Sequence, residues 1–306
     1  MSSLYDKVKS EVSKVIVGKE RELKTIIASL IAGGHVILEG VPGVAKTTMA
    51  RAIAKSIGLS FSRIQFTPDM LPSDVLGTFI YSQKDSKFKF RRGPIFANIV
   101  LADEINRASP RTQSAFLEAM QEHQVTIWGR TFRLPEPFLV LATMNPVEME
   151  GVYPLPEAQR DRFMARVVLG YPSPEELVEI MDRFKDISRF EVNAVATAEE
   201  VLEAQKRVWD VRVDSNIKTY IVKIVEESRR HPHVQLGGSP RAALSILMLS
   251  RGLAVAEGLD YVHPDHVKEA ARAALPHRLV LTPEARLEGV NQDRVTRDIL
   301  DSVEPP

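Results

Sequence analysis

Lys46-Thr47 and Asp103-Glu104 are the residue pairs in this sequence whose types and spacing can do chemistry together. Lys46-Thr47 closes the turn Gly40-Val41-Pro42-Gly43-Val44-Ala45, which follows the apolar run Val36-Ile37-Leu38 and leads into Thr48-Met49-Ala50-Arg51. A strand, a glycine-bent loop ending in Lys-Thr and then a helix make an arrangement for holding phosphates. Backbone N–H groups and a helix N-terminus face the anion, the lysine reaches its terminal phosphates, and the hydroxyl supports Mg²⁺. The common pattern has glycine directly before the lysine, where this chain has Ala45. That methyl group predicts a backbone conformation at position 45 that needs no glycine.

Asp103-Glu104 ends the apolar run Ile99-Val100-Leu101-Ala102. An acidic pair there suits a nucleotide site: Asp103 holds Mg²⁺ directly or through water, and Glu104 polarises the water that attacks the γ-phosphate. Asn145, after Phe138-Leu139-Val140-Leu141-Ala142-Thr143-Met144, can hydrogen-bond that water or the phosphate. Arginines are the remaining candidates. Arg241 stands in the first turn of a helix opened by Ser239-Pro240, where the helix dipole disfavours a cation. A bound anion or plain solvation would account for it equally. In Gln159-Arg160-Asp161-Arg162-Phe163, either arginine could reach from a subunit edge into a neighbouring site.

Short apolar runs without alternation suit strands buried on both faces of a parallel sheet. Three of them end in the chemistry above, and Phe61 to Phe66 and Ala165 to Leu169 add two more strands. Ligands of such sheets sit beyond the carboxyl ends of the strands, so the three clusters should converge on one crevice. Two hairpins are expected near residues 77–92, around Lys84-Asp85-Ser86-Lys87, and 124–134, around Trp128-Gly129-Arg130. From Pro172 onward only helices are legible, several opened by capping signals such as Ser173-Pro174-Glu175-Glu176. This divides the chain into residues 1–170, an α/β nucleotide-binding domain, and residues 171–306, a helical domain.

Lys+Arg and Asp+Glu both number 40, so there is no global basic field for non-specific nucleic-acid binding. The absence of cysteine removes disulfides, thiol nucleophiles and Cys-based zinc sites, and fits a reducing compartment. His231, His233, His263 and His266 form pairs without a third ligand nearby. No run approaches the ~18 apolar residues of a membrane span, so a soluble cytoplasmic protein is expected.

With these residues in place the chain resembles the MoxR family of AAA+ ATPases, in the branch with a hairpin insertion in its second helix. The resemblance rests on Gly40 to Thr47, Thr67-Pro68-Asp69 through Asp74, Arg92-Gly93-Pro94-Ile95-Phe96, Leu101 to Ala108, Ala142 to Pro146, Leu155 to Phe163 and Ser239-Pro240-Arg241-Ala242. It implies an α/β fold: an AAA+ P-loop domain with a five-stranded parallel sheet flanked by helices, then an all-helical lid. It also implies ATP and Mg²⁺ as cofactors, with Gly40, Pro42, Gly43, Val44, Ala45, Lys46, Thr47 and Thr48 around the phosphates. Thr47 and Asp103 would serve the metal, and Val17 and Gly18 would line the adenine pocket. The same resemblance casts Asn145 and Arg241 as first and second sensors and Arg162, ahead of Arg160, as the finger acting on a neighbouring subunit. Family members form rings, commonly hexamers, that work with von Willebrand factor A domain proteins in assembly, maturation or metal insertion. Two alternatives stay open: a nucleic-acid motor using the basic, aromatic hairpin with Trp128, Arg130 and Arg133, and a nucleotide-gated scaffold with little turnover.

Overall fold

The computed structural model describes residues 3–41, 43–144, 152–183 and 191–306. Its centre is a parallel sheet of β1 (Val36–Glu39), β2 (Phe61–Gln65), β5 (Ile99–Asp103), β8 (Leu139–Met144) and β9 (Ala165–Val168), in the order β2-β5-β8-β1-β9. Both faces of the central strands are buried, and successive residues alternate between two apolar clusters. Leu38, Leu101 and Leu141 face α2 (Glu20–Ile31) and α3 (Lys46–Ser56), whereas Ile37, Val100 and Val140 join Phe66, Phe116 and Phe163 on the other side. This two-sided burial is why the runs lack polar alternation.

Two antiparallel hairpins project from the second cluster. One is β3 (Gly77–Ser82) with β4 (Lys87–Arg92); the other, β6 (Gln124–Ile127) with β7 (Arg130–Arg133), follows α5 (Pro110–Glu122). The second turns on Trp128 and Gly129, both at positive φ (52° and 73°), as a two-residue hairpin loop requires. Aromatic rings join the hairpins: Trp128 stacks on Phe79 with centroids 5.0 Å apart, and Phe90 stacks on Phe132 at 4.0 Å.

Beyond β9 and α7 (Pro174–Asp182) come α8 (Ala198–Asp210), α9 (Ser215–Arg230), α10 (Pro240–Ala256), α11 (Pro264–Ala274), α12 (Pro283–Leu287) and α13 (Gln292–Ser302). The expectation of helices alone is corrected by a two-stranded antiparallel ribbon, Val234–Leu236 with Val280–Leu281. Strands of three and two residues, with a register shift and a half-exposed Leu236, carry too little pattern to read in sequence. The lid docks through α10 on α2. Gly252 lies so close that a Cβ there would stand 2.4 Å from the Ala28 carbonyl oxygen. One apolar cluster therefore runs from Val8 through Leu30 and Leu249 to Leu300. Among the described residues no helix is long and apolar enough to cross a membrane.

Candidate active site

β1 delivers Gly40 and Val41, and with them the loop residues 43–45, to the carboxyl edge of the sheet between β8 and β9. Gly40 passes so close to the chain leaving β9 that a Cβ there would stand 2.5 Å from the Leu169 carbonyl oxygen. Gly43 has open space around it, but its φ of +87° calls for glycine. Ala45, directly before α3, has φ 60° and ψ 22°. The expectation that it would avoid the left-handed region is therefore wrong. Entry into α3 with the loop wrapped around the cleft sets the backbone at position 45 whatever the side chain, and alanine bears a strain of ~1–2 kcal/mol there. Lys46 Nζ reaches across the loop and donates to the Gly40 carbonyl at 2.7 Å. No side chain caps α3, so the donors of its first turn are left to the cleft. Pro42 lies outside the described residues.

Asp103 and Glu104 leave β5 on the facing wall. Thr143 donates from Oγ1 to Asp103 Oδ1 at 2.6 Å and accepts the Glu104 N–H at 2.8 Å, so one hydroxyl on β8 fixes both acidic residues. Arg63 donates to Asp103 Oδ2 from Nη2 at 2.6 Å and from Nε at 3.0 Å. Glu104 has φ 56° and takes Gln65 Nε2 and Arg107 Nε on Oε2, each at 3.0 Å. Lys46, Thr47, Thr48, Asp103 and Glu104 thus line a single cleft of about 400 Å³ with Gly43, Ala45, Arg63, Gln65 and Thr143. A larger cavity of about 530 Å³, between α2, β9, α11 and α13, contains none of these motifs, and its Arg166 is tied to Glu39 and Asp293.

The sequence assigns no role to Arg63 and Gln65, shows Arg107 only as part of the Leu101 to Ala108 signature, and shows Thr143 only as part of a polar strand end. A signal existed for two of them: Arg63 and Gln65 flank the buried Ile64, so they share one face of β2. Val17 and Gly18 do not line the cleft. Their turn is pinned by Lys19, whose Nζ donates to Glu176 Oε2 at 3.3 Å and to the Tyr171 carbonyl at 3.4 Å, two residues beyond the Leu169 that Gly40 grazes. Asn145 falls outside the described residues.

The arginines stand elsewhere. Met164 N donates to the His35 carbonyl at 2.8 Å, which places the 160–164 segment at the amino end of β1. His35 and Gly40 bracket the four residues of β1, five steps of ~3.3 Å, so that is on the order of 16 Å from Gly40. Arg162 donates from Nη1 to the Leu117 carbonyl at 3.3 Å, and Arg160 lies 3.6 Å from Glu157. Ser239, which caps α10 two residues before the exposed Arg241, donates from Oγ to Asp161 Oδ2 at 3.0 Å. Arg160, Arg162 and the start of Arg241's helix therefore share one edge of the molecule, at the other end of the sheet from the cleft.

The profile of the ATPase family associated with various cellular activities (AAA) matches residues 35–165, and that of the AAA lid domain matches residues 226–299. The chain is 44% identical over 305 residues to Chaperone MoxR1 of Mycobacterium tuberculosis, covering 97% of this chain and 81% of that one. It belongs to the MoxR family of AAA+ ATPases. Relatives of this MoxR protein include the uncharacterized protein YeaC of Bacillus subtilis, 49% identical over 304 residues and covering 99% and 95% of the two chains. A crystal structure of a candidate ATPase from Cytophaga hutchinsonii superposes with a TM-score of 0.91 at 40% identity, over 98% of this chain and 94% of that one. As a MoxR-type AAA+ ATPase the chain is a nucleotide-binding, ATP-hydrolysing enzyme with chaperone relatives.

Proposed function

We propose that this MoxR protein assembles head to tail into a ring, hexameric by family precedent, and hydrolyses ATP at each boundary between subunits. One observation carries the reading: the cleft holds Lys46, Thr47, Asp103 and Glu104, and among the described residues the arginines beside it, Arg63 and Arg107, are paired to Asp103 and Glu104, while Arg162 and Arg241 stand at the opposite edge. A head-to-tail contact brings the arginine edge of one copy to the cleft of the next, and repetition closes a ring. In that assignment Lys46 and the first turn of α3 hold the phosphates, and the base would lie outside the phosphate cleft, toward the Val17-Gly18 turn. Glu104, fixed by Gln65, Arg107 and Thr143, polarises the attacking water; Asn145 assists, and the neighbour's arginines meet the developing charge.

Mg²⁺ fits the donor set. Thr47 and Asp103 are hard oxygen donors on one cleft. Mg²⁺ keeps several water and phosphate ligands, so one hydroxyl and one carboxylate are a sufficient protein contribution. When bound, Mg²⁺ neutralises phosphate charge. Thr47 and Asp103 would hold it.

By family precedent the work is remodelling of a protein client, with a von Willebrand factor A domain protein as partner, in maturation or metal insertion. The hairpins form a basic surface with Lys84, Lys87, Lys89, Arg91, Arg92, Arg130 and Arg133 against Asp85, which favours an acidic polypeptide. A nucleic-acid motor would need free ring faces for bases to stack on. Here Phe79, Phe90 and Phe132 spend faces on their neighbours and the Arg130 guanidinium covers Phe79 at 5.7 Å, whereas Trp128, Phe88 and Tyr81 are more than half exposed. On the polypeptide reading labelled single-stranded DNA should show no salt-sensitive binding, and steep salt dependence would restore the nucleic-acid reading.

The boundary reading is tested by mixing variants. Arg162→Ala subunits should bind ATP yet fail to hydrolyse it, and Lys46→Ala subunits should neither bind nor hydrolyse. Mixed assemblies should regain activity where a Lys46→Ala subunit lends Arg162 to an intact cleft. Failure to complement would move the role to Arg160. No Mg²⁺-dependent phosphate release from assembled protein would favour a nucleotide-gated scaffold.

A further inference from the structure

Arg278 lies in the lid, in the short 3-10 turn Pro276–Arg278 after α11, and its side chain is only 2% exposed. Nε donates to Asp161 Oδ1 at 2.7 Å, and Nη2 donates to the carbonyls of Asp161 at 3.1 Å and Phe163 at 2.6 Å and to Ser245 Oγ at 2.9 Å. Nη1 donates to the Met164 carbonyl at 3.3 Å and to the Ala274 carbonyl. One guanidinium thereby joins two lid helices, through Ser245 on α10 and Ala274 on α11, to three residues of the segment that carries Arg162. His277 Nε2, 3.1 Å from the Phe163 carbonyl, and Ser239 Oγ, on the second Asp161 oxygen, complete the grip.

A buried cation is a costly way to fill space, because apolar residues of similar volume pack as well or better. What the guanidinium supplies is geometry, since its planar fork accepts few arrangements of six acceptors. Arg162 lies between Asp161 and Phe163, both held by this fork, so its Cα direction follows the lid. Arg241 is set by the same contact through Ser239. We propose that Arg278 is a positioning residue that ties the lid to the 161–164 segment, so that movement of the lid moves Arg162 and Arg241 together at the edge offered to the next subunit. This rests on the reading of Arg162 as the group acting on a neighbour's nucleotide.

The test uses the full chain in its assembled form, with Arg278→Gln, Arg278→Lys, Asp161→Asn, Ser239→Ala and Arg162→Ala. Each positioning variant should bind a fluorescent ATP analogue as wild type does, because its own cleft is untouched. Arg278→Gln and Asp161→Asn should lose about tenfold or more in kcat with KM changed less than about twofold, with Arg278→Lys and Ser239→Ala intermediate. In equal mixtures with Lys46→Ala subunits, Arg278→Gln should recover to roughly a quarter of the wild-type rate, the share of boundaries in a head-to-tail ring that pair an intact cleft with an intact edge. General damage to the fold would not be repaired this way. If Arg278→Gln does not fold, Asp161→Asn and Ser239→Ala decide by the same criteria. Normal hydrolysis by Arg162→Ala overturns the finger reading and the inference with it. Impaired Arg162→Ala beside unimpaired Arg278→Gln and Asp161→Asn overturns the inference alone, as does a loss that mixing fails to repair.

Discussion

Arg63 and Asp103 face each other across neighbouring strands, with the guanidinium Nη2 2.6 Å from the carboxylate that the metal-binding role assigns to Mg²⁺. Asp103 is thus held from both sides, by Arg63 on Oδ2 and by Thr143 on Oδ1. The pair couples the carboxylate to a cation that must yield or lean aside when a dication approaches. Nearly half of the Arg63 side chain is exposed, which weakens the repulsion through solvent screening. Arg63→Gln should therefore lower the Mg²⁺ concentration that half-saturates Mg²⁺-dependent binding of a fluorescent ATP analogue, by roughly two- to tenfold. A higher requirement would show that Arg63 organises the metal site instead of competing with it.

Ala45 gives a prediction about stability. Its φ of 60° lies in the region that glycine enters without strain, and nothing about alanine favours it. Where native φ is positive, the strain relieved by glycine exceeds the unfolded-state entropy that glycine adds. Ala45→Gly should raise unfolding stability by roughly 0.5–1 kcal/mol, and Ala45→Val should lower it, because a β-branched residue is an outlier there. Thermal unfolding without nucleotide measures both. A destabilised Ala45→Gly would mean that the methyl group makes a packing contribution larger than the strain.

Two buried histidines set the response to acid. His35 accepts the Val140 N–H on Nδ1 and donates from Nε2 to the Met120 carbonyl, each at 3.1 Å, so the neutral ring satisfies both partners. Burial first, and His123 second, hold its pKa down to about 3. Burial first and Arg278 second likewise hold His277 well below the ordinary histidine value. Both folded-state values are depressed. In the unfolded chain these groups take a proton near pH ~6.5, so their contribution is complete above that pH and is lost as pH falls toward the folded-state values. Each should remove about 1.4 kcal/mol of stability per pH unit within that window. Urea unfolding between pH 7 and 5 checks this. His35→Gln should be less stable at pH 7 but have a shallower slope, and an unchanged slope would clear His35 of the effect.

How far these features were legible in the sequence differs residue by residue. Val36-Ile37-Leu38 and Ile99 to Ala102 announced buried strands because both of their faces are covered, and periodicity records burial directly. The convergence of Lys46 with Asp103 followed from strand ends in a parallel sheet, a rule of topology. Ala45 misled because a local preference of a few tenths to two kcal/mol yields to a loop whose ends are anchored by β1 and α3. Arg241 was legible as a first-turn arginine but not as a neighbour of Asp161. Its position depends on α10 docking against α2 through Gly252 and Ala28, a contact far apart in sequence. Arg278 gave no signal because its partners are mostly carbonyls, which every residue possesses.

Glu104→Gln separates water polarisation from nucleotide binding. Glutamine keeps the shape, and its carbonyl oxygen can still accept from Gln65 Nε2 and Arg107 Nε, the two donors that hold Oε2 at 3.0 Å. The Thr143 contact uses the backbone N–H and does not depend on the side chain. What glutamine lacks is the negative charge that draws a proton from the attacking water. The variant should bind ATP with near wild-type affinity while the hydrolytic rate falls by about 10²- to 10⁴-fold, the usual worth of a general base. Radiolabelled ATP should then remain intact on the protein after gel filtration, where wild type yields ADP. Assemblies trapped this way should also retain clients, making the variant the bait for identifying the protein partner. Hydrolysis at the wild-type rate would remove Glu104 from the water-polarising role and leave it as the group that holds Gln65 and Arg107 at the mouth of the cleft.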